Sequence, residues 1–197
     1  MKTFKDLLIE LAACKEAMEW VEDKTIEEVL RDSWRGDWLL WLARKLDLPI
    51  QQLTLAKGRC ANTVRHLMHD DRSIKAVDAA IAFGEGKITR EELKDAAYAS
   101  AAYVATAAAS AAAYAAYVAA YAAYATAAAS AAAYAAYVAA YAADAAAAKK
   151  KNQEETSGIC VEILGQLLID EVNKNLSYEI IIQIENEKLP NENIFMD

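Results

Sequence analysis

The sequence predicts an all-α protein: a multi-helix bundle with long Ala/Tyr-rich helices and a short strand-like C-terminal extension. Three observations predict it. Residues 96–148 hold 35 Ala and 9 Tyr with no Gly, no Pro and Asp144 as the single charge. Ala is the best helix former and nothing in that tract interrupts it. The residues before the tract carry a succession of helix start signals, each followed by apolar positions at helical spacing. Only residues 178–185 alternate with a period of two, as a half-buried strand does.

Taken in order, Thr3 precedes a first helix reaching about Glu22, with Phe4, Leu7, Leu8, Leu11, Met18 and Val21 near helical spacing. Thr25 and Glu28 form a capping box for a second, which carries Ile26, Val29 and Leu30. Gly36 and Asp37 break the chain and cap a third over residues 38–46. Pro49 suits the first turn of a fourth, which reaches about His69 with a weak point at Gly58. Ser73 caps a fifth through Phe83, ended by Gly84 and Gly86. Thr89 with Glu92 launches the helix that enters the Ala tract. After the tract, Lys149, Lys150 and Lys151 suit a helix C-terminal end or a solvated turn. A further helix over residues 159–174 buries Ile159, Ile163, Leu167 and Val172. The organisation that follows is an N-terminal bundle (1–95), an Ala/Tyr tract packed on it within the same domain (96–148), a C-terminal helix (149–176) and an acidic strand-like tail (177–197). A lone strand in an all-α chain pairs with its symmetry mate, joins a sheet of another protein, or packs as a short extension.

Residues 105–124 and 125–144 are the same twenty letters except that Tyr124 becomes Asp144. Twenty residues turn an α-helix by about 2000°, a net rotation of about 200°. Tyr114, Tyr117, Tyr121 and Tyr124 therefore share one stripe, while Tyr134, Tyr137 and Tyr141 fall on the opposite side of the same rod. A continuous rod of about 80 Å exposes one stripe or dimerises along it. A chain folded back near residues 106–110 and 126–130 turns every stripe inward, and this second arrangement is the expectation.

The formal net charge of −8 argues against nucleic-acid binding, which needs clustered Lys and Arg. From Asn152 onward, ten Asp or Glu stand against Lys174 and Lys188, an acidic surface that would suit a basic partner. Cys14, Cys60 and Cys160 are odd in number and widely spaced, the usage of a reducing compartment. The N-terminal stretch carries Asp6, Glu10 and Glu16 and is not a signal peptide, so a cytoplasmic location is expected. Ala is near neutral for insertion and the Tyr residues do not gather at two interfaces, so no membrane span is expected.

No glycine-rich phosphate loop, nucleophile elbow or paired catalytic motif is present, and no enzyme, cofactor or catalytic residue is expected. His66 and His69, near Cys60, Asp70 and Asp71, have spacing that can hold a metal but lack a second cluster, and no metal site is expected. The most specific local signal is the run from Trp34 to Trp41. Trp38 and Trp41 share one helix face and Trp34 precedes the break, so three indoles converge on one turn beside Asp37. Such a cluster is a core anchor or an aromatic hot spot for a partner. The candidate binding residues are accordingly Trp34, Asp37, Trp38, Trp41, Tyr114, Tyr117, Tyr121, Tyr134, Tyr137 and Tyr141.

Cys14-Lys15-Glu16-Ala17, Trp20, the Gly36-Asp37-Trp38 turn before Leu40-Trp41-Leu42, Asp71-Arg72-Ser73-Ile74-Lys75-Ala76-Val77, and Gly86-Lys87-Ile88-Thr89-Arg90-Glu91-Glu92-Leu93 leading into an Ala/Tyr tract together form a pattern. That pattern resembles the bacterial and phage immunity-protein family of polymorphic toxin systems, over roughly residues 10–150. The resemblance implies an all-α fold and a protein that neutralises a toxin or defence effector by binding it. Two other roles fit the residues themselves: sequestration of an aromatic or nucleotide ligand in a Tyr/Trp-lined groove, and self-association through the Tyr stripes or residues 178–185.

Overall fold

The computed structural model of the protein describes residues 2–68, 71–106 and 146–188. Among these residues there are eight α-helices and no strand: α1 (Phe4–Glu10), α2 (Lys15–Val21), α3 (Ile26–Asp32), α4 (Gly36–Lys45), α5 (Ile50–Asn62), α6 (Asp71–Gly84), α7 (Arg90–Thr106) and α8 (Ala146–Lys188). The expected all-α, multi-helix class is the one observed.

Local chemistry sets most of the starts. Thr25 Oγ1 accepts from the Glu28 amide while the Glu28 carboxylate accepts from the Thr25 amide at 2.9 Å, satisfying two amides that the helix leaves orphaned. Thr89 and Glu92 make the same reciprocal pair at α7, and Thr3 with Asp6 makes it at α1. These hydrogen bonds to the Thr3 and Thr89 amides hold the Asp6 and Glu92 carboxyls below their ordinary range.

Five expectations need correction. The first helix is two, because Ala12 takes a left-handed φ of 58° and the Ala13 amide bonds back to the Leu8 carbonyl at 2.9 Å. On one straight helix, Trp20 would lie roughly 180° from the Phe4–Leu7–Leu8–Leu11 face. The break lets both surfaces turn inward. The third helix starts at Gly36 with Arg35 as its cap residue, so Asp37 lies inside the first turn and is not the cap. Ser73 is buried within α6, which already begins at Asp71, and α5 runs through Gly58 to Asn62 before a 3-10 turn at Arg65–Leu67. Tyr178 to Glu185 are not a strand: α8 continues through them to Lys188. A helix satisfies its own backbone groups, whereas a single strand leaves them unpaired, and propagating an established helix costs little beside nucleating new structure.

Helix α8 runs through the middle of the assembly. Cys160, Leu164, Leu168 and Val172, one turn apart, are wholly buried against α4, α5 and α3. Gly36 permits the close crossing of α4 over α8, since a Cβ there would lie 2.7 Å from the Thr156 carbonyl carbon and oxygen. Ser157 Oγ donates to the Ser33 carbonyl at 2.8 Å across the same crossing. Helices α5 and α8 are antiparallel, with Arg59 near Glu162, Cys60 against Cys160 and Thr63 bonded to Asn152. Helices α5, α6 and α7 follow as an up-down-up layer. Gly84 abuts the Leu55 backbone, and Leu93 and Ala97 close on Ala76, Ala80 and Phe83.

Both flanks of the Ala/Tyr tract rest on this bundle. Ala97 packs on α6, and Asn152 Nδ2 donates to Thr63 Oγ1 at 2.7 Å at the end of α5. Apart from Thr106, the last residue of α7, the expected turns near residues 106–110 and 126–130 lie outside the described part of the chain.

Candidate functional site: a tryptophan-walled cleft

The break between α1 and α2, the cap-box start of α3 and the Gly36 crossing together place four aromatic residues around one open cleft of about 230 Å³. Trp20 from α2, Trp38 and Trp41 from α4, and Phe4 from α1 line it, with Leu8, Val21 and Val29 at its floor. The Trp20 and Trp38 ring centroids are 5.7 Å apart at an interplanar angle of 49°, and Trp34 stands 6.1 Å from Trp38 at 59°. Tilted packing of this kind is favoured by the ring quadrupoles.

Arg35 locks the mouth of the cleft. Its Nε donates to Asp37 Oδ1 at 2.7 Å and its Nη2 to Oδ2 at 2.6 Å, a two-pronged pair whose side chains are 15% and 12% exposed. The guanidinium lies 4.7 Å from the Trp38 ring centroid and 5.5 Å from that of Trp34. Glu16 approaches its other side at 3.4 Å and remains largely exposed. The hydrogen bonds that Arg35 donates to Asp37 raise the pKa of Arg35 against the opposing effect of burial. A permanently charged, rigidly held Arg35 therefore fixes the two indole faces between which it sits.

The sequence-derived set is brought together only in part. Trp34, Asp37 and Trp38 belong to one cluster, as expected. Trp41 lines the cleft from the next turn and carries Lys45 above its ring at 5.7 Å, but the indole that completes the Trp34–Trp38 cluster is Trp20. Asp37 acts by pairing with Arg35 rather than by capping. Trp20, Arg35 and Glu16 were missed as site residues; the signal available for Arg35 was its position between two Trp and two residues before an Asp. Tyr114, Tyr117, Tyr121, Tyr134, Tyr137 and Tyr141 lie outside the described residues. Within the tract Tyr98 is described, half exposed with Lys94 over its ring.

Other candidate chemistry separates. Cys60 is sealed in the α5–α8 seam, whereas His66 is exposed on the 3-10 turn, so these two do not share a site. Among the described residues no group of three His, Cys, Asp or Glu could hold a metal, and no helix is long and apolar enough to cross a membrane. His69 and Asp70 lie outside the described residues. In the acidic C-terminal segment, Glu154, Glu162 and Glu171 pair with Lys150, Arg59 and Lys174.

Compared with known proteins, the chain matches no family model, no curated sequence and no solved structure.

Proposed function

We propose that this chain is a non-enzymatic immunity or inhibitor protein of the bacterial or phage kind its motifs resemble, working in the cytoplasm by stoichiometric binding of a toxin or defence effector. The observation that carries the reading is the cleft. It offers three indole walls, an apolar floor and a mouth held open by the Arg35–Asp37 pair. Rigid aromatic pockets of this type receive the anchor side chain of a partner, and most interface energy concentrates in such anchors. Preorganisation by Arg35 lowers the ordering cost of association. The polar groups at the mouth, Glu16 and Asp37, both engage Arg35, an arrangement suited to holding shape and recognising charge rather than to proton transfer. Exposed Glu16 would suit a basic group beside the anchor.

Co-expression with the product of the adjacent gene tests the proposal. The expected result is restored growth and a stable complex, weakened about 30-fold or more by Trp38→Ser, with unchanged circular dichroism. Affinity unaltered by both Trp38→Ser and Trp20→Ser would remove the cleft from the interface; absence of both complex and protection would end the immunity reading. One observation favours a second reading, sequestration of a small aromatic ligand: the cleft volume of about 230 Å³ suits a single ring system. Indole or a nucleoside raising the melting temperature of the wild type and not of Trp38→Ser would favour it.

A further inference from the structure

Cys60 and Cys160 face each other at the middle of the antiparallel α5–α8 seam with their sulfurs 3.7 Å apart, and both are 0% exposed. Their thiols also approach main-chain acceptors: Cys60 Sγ lies 3.7 Å from the Thr156 carbonyl and Cys160 Sγ 3.6 Å from the Gly36 carbonyl. Packing alone needs only small side chains here. What the geometry adds is two oxidisable atoms on different helices, one hundred residues apart in sequence and already in contact.

We propose that Cys60 and Cys160 form a reversible disulfide by exchange with a small-molecule disulfide of the glutathione class, which turns the α5–α8 seam into a covalent latch. The thiolate of one cysteine attacks a sulfur of the small disulfide; a mixed disulfide forms and one glutathione thiolate leaves. The second cysteine, on losing its proton to solvent, attacks the protein sulfur of that mixed disulfide, the protein S–S bond forms and the second glutathione thiolate leaves. The two protein thiols are oxidised and the small disulfide is reduced to two thiols. The sulfurs must close from 3.7 Å to about 2.05 Å.

Burial makes the latch slow and selective. The hydrogen bond with Cys60 and the loss of water both raise the Cys160 thiol well above its ordinary value, so the closed seam does not react and exchange is confined to moments when α8 parts from α5. Once formed, the bond is shielded from reductant by the same packing. It closes a loop that contains α6, α7 and the Ala/Tyr tract. It also removes the thiol hydrogen beside the Gly36 carbonyl, next to the turn that holds Arg35 and Asp37, so tryptophan emission should report the change.

The test uses the full chain carrying Cys14→Ser, unfolded and refolded in mixed reduced and oxidised glutathione, quenched with acid and mapped by mass spectrometry. The expected main product is about 2 Da lighter, with Cys60 joined to Cys160, and melts roughly 5 to 10 °C higher than the reduced protein. Cys60→Ala and Cys160→Ala should each abolish the melting shift. Recovery of Cys60 and Cys160 as two free thiols, or as two glutathione adducts, in protein with native circular dichroism would overturn the proposal. Mapping of the refolded chain decides the matter even where an alanine variant fails to fold.

Discussion

Replacing Lys57 with methionine should stabilise the protein, by an amount that depends on pH. Lys57 sits on α5 with 1% of its surface exposed, and burial, reinforced by the nearby Arg44 charge on α4, lowers its pKa from 10.5 to about 7. The unfolded chain keeps this proton until about pH 10.5, whereas the folded protein releases it near pH 7. Between those values the unfolded state binds more protons, so this residue makes stability rise with pH, and below pH 7 its full penalty is present. With a pKa of about 7 in place of 10.5, and about 1.4 kcal/mol for each tenfold change in proton affinity, the charged side chain costs about 5 kcal/mol at pH 6, falling to about 2 kcal/mol at pH 9. Methionine has a similar length, no charge and good tolerance of irregular core space. Urea unfolding of wild type and Lys57→Met at pH 6, 7, 8 and 9 reads the difference directly, because contributions from other titrating groups cancel between the two proteins. A gain about 3 kcal/mol larger at pH 6 than at pH 9 is expected. A difference that stays constant over that range, or a variant less stable than wild type at pH 6, would refute the reasoning.

Two glycines should respond in opposite directions to alanine. Gly36→Ala forces a Cβ to within 2.7 Å of the Thr156 backbone and should cost about 1–3 kcal/mol in denaturant unfolding, while Gly158→Ala, which meets nothing within 4 Å on α8, should gain up to about 1 kcal/mol. Asp37→Ala strips the guanidinium of Arg35 of its two-pronged partner and should cost about 3 kcal/mol; a change in tryptophan emission should accompany the loss, since Arg35 rests on Trp38.

Legibility of the fold followed the range of the interactions. The Thr25–Glu28 and Thr89–Glu92 boxes were readable because cap and carboxylate are three residues apart. The break at Ala12 was not, because no Gly marks the left-handed position and its cause is the inward demand of Trp20 on a different element. The alternation from Tyr178 to Glu185 gave a strand signal, yet α8 was already established by the buried turn-spaced run from Cys160 to Val172 and continued through it. At the site, Trp34, Asp37 and Trp38 were found by proximity in sequence. Trp20 and Glu16 come from α2, whose approach to α4 no local pattern announced.

By itself the amino-acid sequence determined that the chain is helical and where three of its helices are capped, since propensity and capping act within about four residues. Which faces meet was decided only by the tertiary structure. Burial belongs to the packed set of helices: it sets Cys60 against Cys160 across one hundred residues, removes Lys57 from water, and closes Trp20 and Trp38 around a cleft that neither helix possesses alone.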